Sequence, residues 1–83
     1  MPEIVWSRNA RGYLLELGTS SRERLLEQIA HLRRFPGLGV GLEGPYDGMR
    51  RLTIGRFMVV YEIDDNADQI RIVAIGYGGP ARP

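Results

Sequence analysis

The strongest pattern of apolar and polar positions lies between residues 48 and 63, where apolar side chains recur at every second position. Side chains in a β-strand alternate between the two faces of a sheet, so this spacing predicts two strands. Gly55 and Arg56 separate the strands, and glycine tolerates the positive φ that a tight turn requires. The stretch therefore predicts a β-hairpin whose apolar face carries Leu52, Ile54, Phe57, Val59, Tyr61 and Ile63.

Two amphipathic helices are predicted ahead of the hairpin. The first is expected to have Ser7 as its N-cap and to end at Gly18. The second is expected to begin at Ser20, because Glu23 follows three residues later as in a capping box, and to end before Pro36. Apolar residues at helical spacing are Ala10, Leu14 and Leu17 in the first helix and Leu25, Ile29 and Leu32 in the second.

Two further strands are predicted, at residues 2–6 and residues 69–77. The element order predicts an α+β fold with an N-terminal strand, a two-helix hairpin and a three-stranded antiparallel meander. We expect the helices to pack on one face of a four-stranded sheet. Its other face is expected to stay open and to carry Arg51, Thr53, Met58, Val60 and Glu62. Regular structure is expected to stop at Gly78, followed by a loose tail to Pro83.

The connection over residues 36–48 contains five glycines. A phosphate-binding loop is not indicated, because no Lys-Ser or Lys-Thr pair follows and no helix is predicted after it. The segment is interpreted as a connector with local turns, and Leu42 is expected to anchor it in the core.

A chain of 83 residues predicts one small domain over residues 1–83. Without cysteine it can form neither disulfides nor thiolate metal ligands, and His31 alone cannot make a metal cluster, so no cofactor is expected. There is no apolar run of membrane-spanning length and no signal-peptide pattern, which favours the cytoplasm. Trp6 and Tyr61 are interpreted as core residues.

The charges of the chain are segregated although the formal net charge is only +1. All 11 basic residues are arginine, whose planar fork of donors suits phosphate and carboxylate. Basic residues cluster at Arg50, Arg51 and Arg56, and acidic ones at Glu62, Asp64, Asp65 and Asp68. Two interpretations remain open: a solvated surface, or a surface for nucleic acid or an acidic partner. The near-neutral total argues against strong non-specific binding to nucleic acid.

Four segments together resemble the RelE/ParE superfamily of bacterial toxins. They are Leu-Glu-Gly at 42–44, Met-Arg-Arg-Leu-Thr-Ile-Gly-Arg-Phe at 49–57, Val-Tyr-Glu-Ile at 60–63 and Ile-Arg-Ile-Val-Ala-Ile at 70–75. The length and the element order are also similar, and the resemblance runs from Ile4 to Tyr77. It implies a toxin of a type II toxin–antitoxin pair that a cognate antitoxin protein holds inactive.

The resemblance implies first a RelE-like function and leaves two alternatives open, a ParE-like toxin and a degenerate member. The RelE-like branch is an endoribonuclease that cleaves messenger RNA on the ribosome, whereas the ParE-like branch inhibits DNA gyrase without catalysis. A degenerate member would bind an antitoxin without toxicity. RNA cleavage by attack of a 2′-hydroxyl requires a base, positive charge at the phosphate and an acid for the leaving oxygen.

The resemblance also indicates site residues for the RNA-cleaving alternative. Arg51 falls on a basic position of the second strand of the family pattern, and Arg56 lies in the adjoining turn. Tyr77 is the candidate for the assisting group at the end of the last strand. Arg51, Arg56 and Tyr77 are therefore the predicted catalytic residues, and Arg50 and Thr53 the predicted substrate-binding residues.

The sequence departs from the family pattern at several of these places. Thr53 stands where a second basic residue is frequent, and Met58 stands where an arginine is frequent. The family usually continues beyond the last strand, whereas this sequence ends at Pro83. These departures favour the non-catalytic alternative, while the small size and short helices favour the RelE-like one.

Overall fold

The computed structural model describes residues 1–78, and the predicted tail over residues 79–83 lies outside the described residues. The elements are β1 (Glu3–Trp6), α1 (Arg8–Glu16), α2 (Thr19–Ala30), β2 (Val40–Gly41), β3 (Met49–Ile54), β4 (Phe57–Asp64) and β5 (Gln69–Tyr77). Short 3₁₀ turns cover His31–Arg33, Pro36–Leu38 and Gly44–Tyr46. The sheet has the strand order β1-β5-β4-β3-β2; β1 pairs with β5 in parallel and the other pairs are antiparallel.

Both helices contribute to one apolar core with the inward face of the sheet, as the sequence pattern predicts. The buried residues are Ala10, Leu14, Leu25, Ile29, Leu32, Ile54, Val59, Tyr61, Ile70, Ile72 and Ile75. Arg51 and Thr53 point away from this core and are exposed. The α+β class and the open second face are thus confirmed. Within residues 1–78, neither helix has the length and apolar composition needed to cross a membrane.

The predicted strand count is wrong, because the sheet has five strands rather than four. The additional strand β2 is only two residues long, and Val40 and Gly41 pair with Arg51 and Arg50 of β3. A segment of this length carries no periodic signal that a sequence reading could detect.

Of the two predicted helix starts, that of α1 is correct and that of α2 is wrong. Ser7 caps α1 as predicted: its Oγ accepts from the Ala10 N–H at 3.0 Å and donates to the Val73 carbonyl at 2.6 Å. The predicted capping box of α2 is wrong, since Gly18 is the N-cap and Ser20 lies inside the first turn. Gly18 takes an extended conformation (φ −64°, ψ 160°), and its carbonyl accepts from Arg22 N–H at 3.0 Å. Gly18 is therefore both the last residue of the link between the two helices and the N-cap of α2.

The hairpin of β3 and β4 forms with the predicted turn, and Gly55 has the expected positive φ of 59°. The pairing of β4 with β5 contains a bulge, because Val60 is opposite Ala74 whereas Tyr61 is opposite Ile72. Val73 is the additional residue. Ile72 faces the core, so strict alternation would place Tyr77 on the open face. The bulge reverses the alternation, and Tyr77 instead lies on the same face as Ile72.

The segment before β2 is fixed to the sheet by a buried hydroxyl. Tyr61 Oη donates to the Pro36 carbonyl at 2.6 Å and accepts from the Gly39 N–H at 2.8 Å. Burial raises the pKa of Tyr61 above its ordinary value of 10.0, partly offset by the Gly39 hydrogen bond and by the charge of Arg50. Tyr61 is thus a structural residue, as predicted.

Candidate functional site

The predicted site residues on β3 form one wall of a cleft on the open face. Arg51 and Thr53 are two positions apart on β3 and therefore share a face, and Met58 of β4 lies directly opposite Thr53. Arg56 follows the turn glycine. This open-face cleft has a volume of about 300 Å³ and is lined by Arg51, Thr53, Gly55, Arg56, Phe57, Met58 and Gly78.

Within residues 1–78, the charge of the open-face cleft comes from two exposed guanidinium groups, those of Arg51 and Arg56. In residues 1–78 the one ion pair within 4 Å joins Arg71 and Glu62 at 2.7 Å, so neither group is neutralised by a carboxylate. No aspartate, glutamate or histidine of this part of the chain lines the cleft. The cleft therefore presents donors and positive charge for an anion.

Tyr77 does not join Arg51 and Thr53, because the bulge turns it to the helix side of the sheet. It pairs with Phe57, and the two rings meet edge to face with centroids 6.0 Å apart. Its hydroxyl lies 3.5 Å from Nη1 of Arg56. Arg56 thus stands between Tyr77 and the open-face cleft, and the predicted catalytic residues are divided between the two sides of the hairpin turn.

Arg50 faces the opposite way from Arg51 and lies outside the open-face cleft. Its Nη1 donates to the Gly39 carbonyl at 2.7 Å, and the Gly37 carbonyl is 3.5 Å away. The structure therefore gives Arg50 a part in holding the glycine-rich segment and does not place it beside Thr53, the other predicted substrate-binding residue. Because side chains alternate along β3, the neighbouring Arg50 and Arg51 lie on opposite faces of the sheet, and the sequence alone indicates this.

A second, more apolar groove continues from the cleft across the open face, with a volume of about 530 Å³. It is lined by Leu42, Tyr46, Met49, Arg51, Met58, Val60, Val73 and Ala74. Leu42, which was expected in the core, lies in this open-face groove and is half-buried, so that expectation is wrong. After Gly41 the chain continues alongside β3, and the Leu42 N–H donates to the carbonyl of Met49, the first residue of β3, at 2.9 Å. The alternating Met58 and Val60 were the sequence signal for this groove.

The described residues provide no evident metal site, since no three acidic or histidine side chains in residues 1–78 converge. His31 is exposed at the end of α2. Trp6 is half-buried and packs against the core, near Leu26 and Ala30 of α2.

The fold is shared with solved toxin structures. The isolated RelE toxin of E. coli matches with a TM-score of 0.83 and 16% identity, over 99% of this chain and 89% of that chain. A chain of the archaeal RelE–RelB complex from Pyrococcus horikoshii matches with a TM-score of 0.78 and 22% identity, over 96% and 98%. A chain of the chromosomal ParDE system of P. aeruginosa gives 0.71 and 21%, over 93% and 96%. The architecture is therefore that of the RelE/ParE toxins.

The sequence comparison assigns the family. A family model described as the ParE toxin of the type II toxin–antitoxin system, parDE, matches residues 4–80. The chain belongs to this family and is a type II toxin of the RelE/ParE superfamily. No curated protein matches the chain.

Proposed function

We propose that this protein is the toxin of a type II pair that arrests growth by binding DNA gyrase, and that it does not cleave RNA. The observation that carries the proposal is the composition of the open-face cleft. Within residues 1–78, its polar side-chain groups are the guanidinium groups of Arg51 and Arg56 and the Thr53 hydroxyl, and Met58 is one of its lining residues. This set can bind an anionic surface, but among residues 1–78 it contains no group suited to proton transfer.

The chemistry of RNA cleavage makes the distinction concrete. One group must accept the proton of the attacking 2′-hydroxyl, and another must protonate the leaving oxygen. Arginine stays protonated at any physiological pH, so Arg51 and Arg56 can stabilise charge without exchanging protons. Tyr77 carries an ionisable hydroxyl, but it lies beyond Arg56 on the helix side. A toxin that acts by binding needs none of these transfers.

We also propose that a cognate antitoxin covers the open-face groove. Neighbouring structures include toxin–antitoxin complexes, among them the RelE–RelB complex from Pyrococcus horikoshii. The lining of the groove is largely apolar and includes Arg51. An amphipathic segment with an apolar face and a carboxylate next to it fits this chemistry.

The decisive experiment is a supercoiling assay of gyrase with the purified toxin. The purified toxin is added to gyrase and relaxed plasmid, and supercoiling is measured. We expect inhibition that weakens about tenfold or more in Arg51→Ala, because a charge-assisted contact is lost. Arg34→Ala is the matched control, since Arg34 is exposed and follows the far end of α2. Gyrase that is unaffected by the toxin would contradict the proposal.

RNA cleavage remains the second candidate function, and one distance favours it. The Arg56 guanidinium is 3.5 Å from the Tyr77 hydroxyl, which places an ionisable group beside a phosphate-binding cation. After controlled expression in a bacterium, messenger RNA ends are mapped. Cuts at codon positions that disappear in both Arg51→Ala and Tyr77→Phe would establish this function on the ribosome. Intact messages with gyrase-linked DNA breaks support the first proposal, and harmless expression indicates a non-toxic member.

A further inference from the structure

We propose that the outer edge of β1 pairs with the β1 edge of a second copy of this chain, so that two protein molecules share one continuous sheet. β1 is the outermost strand on its side of the sheet, and among the described residues it pairs with β5 alone. Its other edge therefore presents backbone groups to which a further strand can be added. This contact goes beyond the proposed binding of gyrase and of an antitoxin, both of which concern the open face.

The hydrogen bonds of β1 identify the residues that form its outer edge. The N–H groups of Glu3 and Ser7 donate to carbonyl oxygens on the β5 side, at 3.0 and 2.9 Å. Backbone groups of successive residues point to opposite sides of a strand. The N–H and C=O groups of Ile4 and Trp6 therefore point outward, away from β5.

This outer edge is complementary to itself about a two-fold axis. In an antiparallel pairing with Val5 opposite Val5, Ile4 of each copy is opposite Trp6 of the other. Each of these pairs is of the type that exchanges both N–H···O bonds, so the outward groups of both residues are satisfied. Glu3 is then opposite Ser7, and no residue of the strand is opposite a like charge. The pairing closes on itself, as in the commonest class of homo-oligomer.

The side chains next to the edge supply the apolar part of the contact. Ile4 and Trp6 lie on the helix side of the sheet, where both are half-buried and pack against the core. Beside them a groove of about 230 Å³ lies between β1 and α2, and α2 contributes Leu26, which is 42% exposed. An aromatic side chain opposite a β-branched one is a stabilising cross-strand pair, so Ile4 of one copy fits Trp6 of the other. Tryptophan is also among the residues that contribute most to interface affinity.

The opposite edge of the sheet is unsuited to the same contact. β2 has two residues, Val40 and Gly41, and these pair with Arg51 and Arg50 of β3. Pairing of two β2 strands would bring the arginine-bearing strands of two copies together, and like charges repel each other. Pairing through β1 has no such cost. It also leaves the open-face cleft uncovered, because β3 and β4 lie on the far side of β5.

Sedimentation velocity of the purified protein measures the oligomeric state between about 1 µM and about 0.5 mM. The strand contact is short, because Pro2 has no N–H with which to extend it. Small interfaces associate weakly, so we expect monomers at the lowest concentration and dimers at the highest. Trp6 is the single tryptophan of the chain, so fluorescence reports on this edge directly. Its emission should move to shorter wavelength over the same concentration range in which dimers form.

Two pairs of variants locate the contact. Ile4→Pro removes an outward N–H, and proline is tolerated where the N–H of an edge strand faces solvent. We expect its dissociation constant to rise about tenfold or more, whereas Ile4→Ala, which also loses the isoleucine side chain but keeps the N–H, should dimerise more tightly than Ile4→Pro. Leu26→Glu should weaken dimerisation to a similar degree, because it brings a charge to the groove. Leu15→Glu is its control, since Leu15 is exposed and does not line the groove. Circular dichroism confirms that each variant is folded.

Three outcomes would overturn the proposal: a protein that stays monomeric at every concentration, equal dimerisation of Ile4→Pro and Ile4→Ala, or dimerisation without a change in the emission of Trp6. An edge that accepts a strand only from a different protein would give the first of these outcomes. The last two would show that the copies meet through another surface. Inhibition of gyrase by a strictly monomeric protein would leave the proposed function intact and remove only this contact.

Discussion

Replacing Gly39 by alanine tests the attachment of the glycine-rich segment to the sheet. Gly39 has φ −78° and ψ 161°, a conformation that alanine adopts without strain. Its Cβ, however, would lie 2.8 Å from the Arg51 carbonyl oxygen, and 2.8 and 2.9 Å from Cε1 and Oη of Tyr61. These atoms belong to the backbone and to a fully buried ring, so neither can move aside without displacing its neighbours.

The magnitude follows from two contributions. Overpacking a well-packed site costs about 1–3 kcal/mol, and loss of the Gly39 N–H to Tyr61 Oη hydrogen bond adds about 1 kcal/mol. The free energy of unfolding should therefore fall by about 2–4 kcal/mol. For a domain of this size each kcal/mol lowers the melting temperature by about 4–8 °C, which predicts a decrease of at least about 8 °C.

Thermal and urea unfolding followed by circular dichroism measure this change. Gly41→Ala is the matched control, because nothing lies within 4 Å of a Cβ at that position. We expect Gly41→Ala to unfold close to the native chain. If Gly39→Ala and Gly41→Ala melted within about 2 °C of each other, which is less than the shift that 1 kcal/mol produces, the close approach of Gly39 to Tyr61 would not determine stability.

Three further predictions concern single hydroxyl groups. Ser7→Ala should lower the free energy of unfolding by about 1–2 kcal/mol, because it removes a helix cap and a bond to β5, whereas Ser20→Ala should change urea unfolding little. Tyr61→Phe should lower the free energy of unfolding by about 1–3 kcal/mol in the same assay, because it leaves the Pro36 carbonyl and the Gly39 N–H without a partner. Tyr46→Phe is its control, since Tyr46 is exposed. Because the pKa of Tyr61 is raised in the folded state, its neutral form stabilises the fold below the unfolded pKa of 10.0, and this contribution is lost as the pH rises through the folded pKa. Melting temperatures should therefore fall more steeply above pH 10 in the native chain than in Tyr61→Phe, and parallel curves would contradict this.

The sequence was sufficient to predict those elements whose pattern is both local and long. The β3–β4 hairpin has six and eight residues in its strands, and its turn glycine has the expected conformation. The Ser7 cap was equally predictable, because the side chain and the N–H that it binds are three residues apart. In contrast, the start of α2 depends on how the chain leaves α1, and Gly18 takes the position that the Ser20 motif indicated.

The candidate site was predictable strand by strand but not across strands. Alternation correctly placed Arg51 and Thr53 together on the open face. The face of Tyr77 depends on the bulge between β4 and β5, and a bulge is a property of pairing that one strand's sequence does not contain. The approach of the Arg24 guanidinium of α2 to Gly55 was also not predictable, because it joins a helix to a turn 31 positions further along the chain.

The separation of basic and acidic groups along the hairpin has a kinetic consequence. Within the hairpin, Arg51 and Arg56 lie towards the turn and Asp64 and Asp65 lie at or beyond the far end of β4, which gives this part of the molecule a local dipole. An anionic partner would therefore attract the end of the hairpin that carries the Gly55 turn. Such orientation before contact accelerates encounter and is suppressed by salt, whereas escape from the bound state depends on short-range contacts. Added salt should therefore slow capture of a polyanion far more than it speeds release.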